Sequence, residues 1–237
     1  MEVKAWCSTH KGLRRETNQD SYLVNDVLSL YIVADGMGGH SGGEIASQLA
    51  VVTAQDVIQK GLHSATLVRD LIQQAYQKAS QVIFESAHRE GERLAGMGTT
   101  MVMVLIWKDV VYIGNVGDSR AYLFRKPHLW QITEDHSFIN EQARAGIDVK
   151  NLPIGKNVIT RSVGFEKEVV ADILERTAQP GDNYLLCSDG LSGLVSDERL
   201  ATILNTVPPD KVVSTCIQEA LDAGGIDNIT VMYISIT

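Results

Sequence analysis

The chain has 237 residues, 44% of them apolar and 21% charged, with a formal net charge of −8. This is a globular composition, rich enough to bury a sizeable core, and it excludes an intrinsically disordered chain. The acidic balance, without any lysine or arginine run, argues against a nucleic-acid footprint or an anionic membrane partner, and no apolar run has the length of a membrane span.

Met1-Glu2 leads almost directly into Val3-Lys4-Ala5-Trp6, with no basic start and apolar stretch of a secretory signal, so a cytoplasmic location is expected. Short β-rich runs follow at Val3 to Ser8, Tyr22 to Val24 and Leu30 to Ala34. Two helical patterns come next. Glu44 to about Gln59 carries Ile45, Leu49, Val52 and Ile58, and Ser64 is expected to cap a segment with Leu67, Leu71, Ala75, Ala79, Val82 and Ile83. Further strands are predicted at Thr99 to Trp107, Val110 to Val116 and Ala121 to Phe124, with Lys108-Asp109 as a hairpin turn. The stretch from about 138 to 164 holds a short helical piece but no long period, and reads as an excursion over the surface. Strands at Val169 to Leu174 and Tyr184 to Cys187, a third helix from Asp210, and a strand from Asn228 to Ile236 complete the chain.

No Pro/Gly/Ser-rich linker divides it, so a single domain over 1–237 is expected. Adjacent strands joined by tight turns favour antiparallel pairing. Strands grouped on either side of two consecutive helices predict α+β layering, with two sheets face to face and helices outside. The three cysteines, Cys7, Cys187 and Cys216, share no Cys-x-x-Cys spacing and read as reduced core residues.

Four aspartates stand at the ends of strand-like runs: Asp35, Asp118, Asp189 and Asp227. Asp35 and Asp189 are followed by glycine and Asp118 is preceded by one, so the backbone can turn sharply or approach a ligand there. Carboxylates brought together at one sheet edge repel by roughly 4 kcal/mol per pair at 4 Å and an effective dielectric of about 20. Bound cations would make such a cluster tolerable, and oxygen-only ligands select hard ions such as magnesium or manganese. The competing reading is turn and capping aspartates, since Asp-Gly is a common turn pair.

The glycine loop from Asp35 to Gly43 lies between a buried strand and a helix, where phosphate-binding loops occur, but it fails that test. Ser41 stands where the dinucleotide fingerprint needs glycine, the Gly-Lys-Ser/Thr ending of a P-loop is missing, and the strand ends in an acid that would repel phosphate. No cysteine has an arginine six positions on, which excludes the cysteine-nucleophile phosphatases. His-Glu-x-x-His and the Gly-x-Ser-x-Gly elbow are also missing.

In chain order stand Gly12-Leu13-Arg14-Arg15-Glu16-Thr17-Asn18-Gln19-Asp20, Val33-Ala34-Asp35-Gly36-Met37-Gly38-Gly39, Met97-Gly98-Thr99-Thr100, Val116-Gly117-Asp118-Ser119-Arg120-Ala121-Tyr122, Cys187-Ser188-Asp189-Gly190-Leu191 and Asp227-Asn228-Ile229-Thr230-Val231. Together these blocks resemble the metal-dependent serine/threonine protein phosphatases, the type 2C or PPM family, nearly end to end and in the wording of its compact bacterial branch. The resemblance implies a four-layer α-β-β-α sandwich with two Mn2+ or Mg2+ ions in a cleft at one end. It also implies hydrolysis of phosphoserine or phosphothreonine by direct attack of a water bridging those ions.

Carried over block by block, Asp35 would bridge the two metals, the carbonyl of Gly36 would bind one, and Asp189 and Asp227 would complete the other. Asp20 would hold metal-bound water, and Asp118 with Asp189 would form a weaker third metal position. Arg15, five residues before Asp20, matches the family's phosphate-binding arginine, whose guanidinium fork suits bidentate contact. Asn115 and Arg120 receive no role. The implied partners are phosphorylated proteins, targets of a serine/threonine kinase, and the chain is expected to act as a monomer. Two departures matter. Met37 stands where eukaryotic relatives carry a histidine proposed as general acid, leaving His40 as a loop candidate for proton transfer, and the segment at 138–164, in the place of the family's flap, is short. The competing functions are a catalytically silent relative that keeps the fold as a regulatory or binding module, and a structural divalent-ion protein without turnover.

Overall fold

The computed structural model describes residues 2–39, 42–64, 67–89, 94–147 and 158–237. His40 and most of the flap's central stretch, 148–157, therefore lie outside the described residues.

The strands are β1 (Val3–His10), β2 (Asp20–Asn25), β3 (Leu30–Met37), β4 (Gly98–Thr99), β5 (Met101–Trp107), β6 (Val110–Val116), β7 (Arg120–Arg125), β8 (His128–Gln131), β9 (Asp172–Thr177), β10 (Asn183–Cys187) and β11 (Ile229–Ile236). The helices are α1 (Gly42–Gly61), α2 (Val68–Arg89), α3 (Phe138–Arg144), α4 (Asp189–Ser192), α5 (Asp197–Thr206) and α6 (Pro209–Asp222). One sheet has the order β1-β11-β10-β7-β8; the other runs β2-β3-β5-β6-β9, with the short β4 also paired to β3. Every strand pair is antiparallel.

Strand alternation sorts the side chains into three apolar layers. In β3, Tyr31 and Val33 face the other sheet, packing with Val102, Val104, Leu186 and Ile234 in the middle of the sandwich. Leu30, Ile32 and Ala34 of the same strand face the opposite way, onto α1 and α2 through Ala50, Ala54, Ile72 and Ala79. On the far side, Leu185, Cys187, Val231 and Tyr233 pack under Leu200, Val213, Cys216 and Ile217 of α5 and α6. Both faces of each central strand are thus covered, which is why those strands read as continuous apolar runs rather than alternating ones. The result is the expected α-β-β-α sandwich. No described helix is long and apolar enough to cross a membrane.

Two local expectations are corrected. Ser64 does not cap the second helix: its hydroxyl donates to the carbonyl of Gly61 at the end of α1, and Leu67 accepts the first bond of α2 from the Leu71 N–H. The strand expected at Val169 begins at Asp172. Backbone groups of 164–171 are instead satisfied by α2 side chains, with the Gly164 N–H on Ser80 Oγ and the Val169 carbonyl on Gln73 Nε2. Three elements went unread, the first being the single turn α4 after β10. α5 is capped by Ser196, which accepts from the Arg199 N–H, and it buries Leu200, Ile203 and Leu204; β8 is an exposed edge strand joined to β7 by a turn at Lys126-Pro127.

Candidate active site

The fold brings the strand-end aspartates to one rim of the sandwich. Asp35 sits near the end of β3, Asp118 just past β6, Asp189 at the first position of α4 directly after β10, and Asp227 two residues before β11. A cavity of about 260 Å3 between the two sheet edges is lined by Asp35, Asp118, Asp189 and Asp227 together with Gly36 and Arg15. Asp118, Asp189 and Asp227 also form one wall of a second hollow of about 320 Å3, closed on its other side by Arg120 and Asp135. Sharing a cavity is looser than the convergence expected from the sequence: among the described residues no three His, Cys, Asp or Glu groups are gathered about one point.

The carboxylates nonetheless feel one another. Burial, reinforced by the charges of Asp20, Asp189, Asp118 and Asp227, holds the Asp35 carboxyl well above the usual range. Burial and the neighbouring Asp227 raise Asp189, whose carboxyl lies within hydrogen-bonding reach of Asp35. Asp118 is pushed up to about 7 by burial, then by Asp189 and Asp135. Such mutual elevation is what uncompensated acids in one low-dielectric site produce, and it is the condition that a bound cation relieves. Asp189 Oδ1 is buried without a hydrogen-bond partner, an acceptor the protein itself leaves unused.

Asp20 is set apart from the cavity. It opens β2 directly opposite Asp35, and its Oδ2 accepts from Ser188 Oγ at 2.8 Å and Thr230 Oγ1 at 2.6 Å. Burial lifts it to about 6 against the pull of those two hydrogen bonds, and its Oδ1 has no partner.

Gly36 is required by close approach: a Cβ there would lie 2.0 Å from the carbonyl oxygen of Gly43 in the first turn of α1. Its N–H donates to the Gln19 carbonyl at 3.1 Å, which binds the end of β3 to the loop preceding β2. That loop carries Arg15 and is held by Asn228. The Asn228 amide donates to the Lys11 and Thr17 carbonyls, both at 2.9 Å, while its Oδ1 accepts from the Gln19 N–H at 2.8 Å. Arg15 then reaches back, Nη2 donating to Asp227 Oδ2 at 2.7 Å.

Three groups with a bearing on the rim were not found by sequence reasoning. His136 is buried between Gly117 and Asp172: its Nδ1 accepts the Gly117 N–H at 3.0 Å, so the ring proton sits on Nε2, which faces Asp172 Oδ2 at 3.1 Å. Its backbone N–H also donates to the Gly117 carbonyl at 3.0 Å, clamping the residue before Asp118 on both sides. Gly117 takes φ +105° there, outside the reach of ordinary side chains. Desolvation holds the His136 pKa below its ordinary value, although Asp172 works against that. Asp135 receives Arg120 in a two-point contact, Nε at 3.0 Å and Nη2 at 2.7 Å, and this is the structural use of an arginine to which the sequence assigned nothing. Asn115 likewise has a structural role, its amide donating to the Glu134 carbonyl at 3.0 Å. The signal available was the polar triplet Asp135-His136-Ser137, placed just before the aperiodic segment.

Compared with solved structures, the chain superposes on the Mycobacterium tuberculosis serine/threonine phosphatase PstP/Ppp with a TM-score of 0.89 at 32% identity, covering 99% of this chain and 98% of that one. A second structure, the catalytic domain of PstP in complex with two manganese ions, matches with a TM-score of 0.87 at 32% identity and 99% coverage of both. Among curated relatives, a serine/threonine phosphatase, stp, of Listeria innocua is 36% identical over 236 residues, spanning 95% of this chain and 93% of its own. Fold and sequence together make the chain a protein serine/threonine phosphatase of the bacterial sandwich type. The model of the family Protein phosphatase 2C matches residues 10–221, and the chain belongs to that family.

Proposed function

We propose that the chain hydrolyses phosphoserine and phosphothreonine in protein substrates by transfer of the phosphoryl group directly to water, at two divalent ions of manganese or magnesium held in the Asp35 cavity. The observation that carries this reading is that single cavity, in which four aspartates and Arg15 face one another. The donor set fits such ions. It is all oxygen, Asp35, Asp118 and Asp189 are held above their usual range by burial and neighbouring charge, and Asp189 Oδ1 is buried and unused. The manganese complex of the related PstP supports the same choice. In this reading Asp35, Asp189, Asp227 and the Gly36 carbonyl hold the two tight ions, and Asp118 with Asp189 holds a weaker third. When bound, the ions supply a water of lowered pKa and neutralise charge on the phosphoryl oxygens.

The chain's own groups do the rest. Arg15 lies on the cavity wall and presents a planar fork of donors suited to two phosphoryl oxygens, so it captures and orients the phosphate. Asp20 acts one position removed, its partnerless Oδ1 offering an acceptor behind Asp35. Met37, which also lines the cavity, carries no exchangeable proton and cannot assist the leaving group. The whole chain acts as one phosphatase domain, and Ile159, within the segment read as a flap, lines the cavity. Its substrates are products of a serine/threonine kinase. The test is turnover of a phosphothreonine peptide by protein stripped with a chelator. Activity is expected only after manganese or magnesium is restored; full turnover of the stripped protein contradicts the reading.

A further inference from the structure

A groove of about 940 Å3 opens directly from the catalytic cavity, sharing Met37, Gly38 and Ile159 with it. One wall is the 164–171 segment, which belongs to no strand. It is fixed instead by three side chains spaced along one face of α2. Ser80 Oγ donates to the Glu166 carbonyl at 2.7 Å and accepts the Gly164 N–H at 2.8 Å. Gln77 donates to the Lys167 carbonyl and accepts the Val169 N–H, both at 3.2 Å. Gln73 donates to the Val169 carbonyl at 2.8 Å and accepts the Ala171 N–H at 3.0 Å. Positions 73, 77 and 80 lie one helical turn apart, so the helix supplies in side-chain amides and a hydroxyl the ladder that a neighbouring strand would otherwise give. The wall is therefore rigid before any ligand arrives.

Pinned in this way, the segment buries Val163, Val169 and Ala171 and turns other side chains outward, among them Phe165 at 63% and Val170 at 71% exposure. Glu166 and Glu168 line the same groove, and their carboxylates form no ion pair or hydrogen bond among the described residues. Arg161, the one basic group lining it among the described residues, is already engaged, donating to Asp172 Oδ1 at 2.7 Å and to the Val170 carbonyl at 3.2 Å. The groove is thus acidic and partly apolar.

Building on the phosphatase reading above, we infer that this groove receives the polypeptide flanking the phosphorylated residue and selects segments with a lysine or arginine, set against Glu166 and Glu168, and an apolar side chain against Phe165 and Val170. A phosphoresidue anchored in the catalytic cavity brings its neighbours to the mouth of the groove at about 3.3 Å per extended residue. The occupant is fixed by that continuity and by charge complementarity, which sets substrate preference through the rim rather than through the chemistry.

The experiment uses manganese-loaded full-length enzyme, a small aryl phosphate, and phosphothreonine peptides in which lysine or glutamate is scanned through positions on either side of the phosphothreonine. At one or more positions lysine is expected to raise kcat/KM over glutamate by about two- to fivefold, the size of one exposed ion pair. The paired substitution Glu166→Lys/Glu168→Lys should abolish or reverse that preference, and Glu166→Gln/Glu168→Gln should flatten it, while aryl phosphate turnover stays at the wild-type level. Absence of a charge preference in the wild type overturns the inference, as does its survival in the lysine variant or a parallel fall in aryl phosphate turnover. If the wild type fails to hydrolyse the aryl phosphate at all, the phosphatase reading falls, and this inference with it.

Discussion

Arg15 and Asp227, both lining the Asp35 cavity, form a 2.7 Å ion pair, although 212 positions separate them in the chain. Both oxygens of Asp227 are thereby engaged, Oδ2 by the guanidinium and Oδ1 by the Asn228 N–H at 2.8 Å. The proposed phosphate-binding group and a proposed metal ligand thus hold each other.

Arg15→Ala should therefore weaken phosphopeptide binding while strengthening metal binding. KM for a phosphopeptide should rise by about tenfold, because a charge-assisted contact of about 1.5 kcal/mol or more is lost from ground and transition states alike. Manganese affinity should rise severalfold, because a competing positive charge leaves Asp227. Steady-state kinetics and calorimetry check the two arms. An unchanged KM at wild-type kcat removes Arg15 from the site.

Asp118 should make the metal-free protein sensitive to pH in a defined sense. Its folded pKa of about 7 lies above its ordinary 3.8. Between those values the folded state binds a proton that the unfolded state has released, so this contribution to stability is present below about pH 4 and lost as pH rises towards 7. His136, held below its ordinary value, acts in the opposite sense, so the comparison must be made against a variant. In chelator, the Tm advantage of Asp118→Asn over the wild type should grow from pH 4 to pH 7. A constant difference across that range contradicts the raised pKa.

Much of the sandwich was legible because its strands are apolar on both faces: Leu30 to Ala34 and Val110 to Val116 cannot be exposed, and their turns are marked by residues such as Lys108, at φ +54°. What escaped was structure held by partners distant in sequence. The 164–171 segment looks like the beginning of a strand because Val169 and Ala171 are buried, yet its backbone is satisfied by Gln73, Gln77 and Ser80, a pairing no local pattern announces. β8 is exposed at His128 and Trp130 and owes its conformation to β7. The acidic positions were readable one by one, but not that Asp20 would stand directly opposite Asp35, nor that His136 would support the turn before Asp118.

His136→Ala should leave the buried Gly117 N–H without an acceptor, at a cost of about 1–3 kcal/mol in denaturant unfolding. His136→Asn should recover part of that loss, since its Oδ1 can stand in for Nδ1, whereas nothing in alanine can. Nitrogen NMR of the wild type should show the ring protonated at Nε2 alone. A proton on Nδ1, or equal stability of the two variants, contradicts the assigned hydrogen bond.

The most direct test of the acidic cavity as a two-ion catalytic site is the manganese stoichiometry of Asp35→Asn against the wild type, measured by calorimetry on chelator-stripped protein. The wild type should take up two ions tightly. The variant should lose at least one of them and nearly all turnover while remaining folded, because one carboxylate fewer also relieves the repulsion at the rim. Two tight ions in the Asp35→Asn protein would contradict the account.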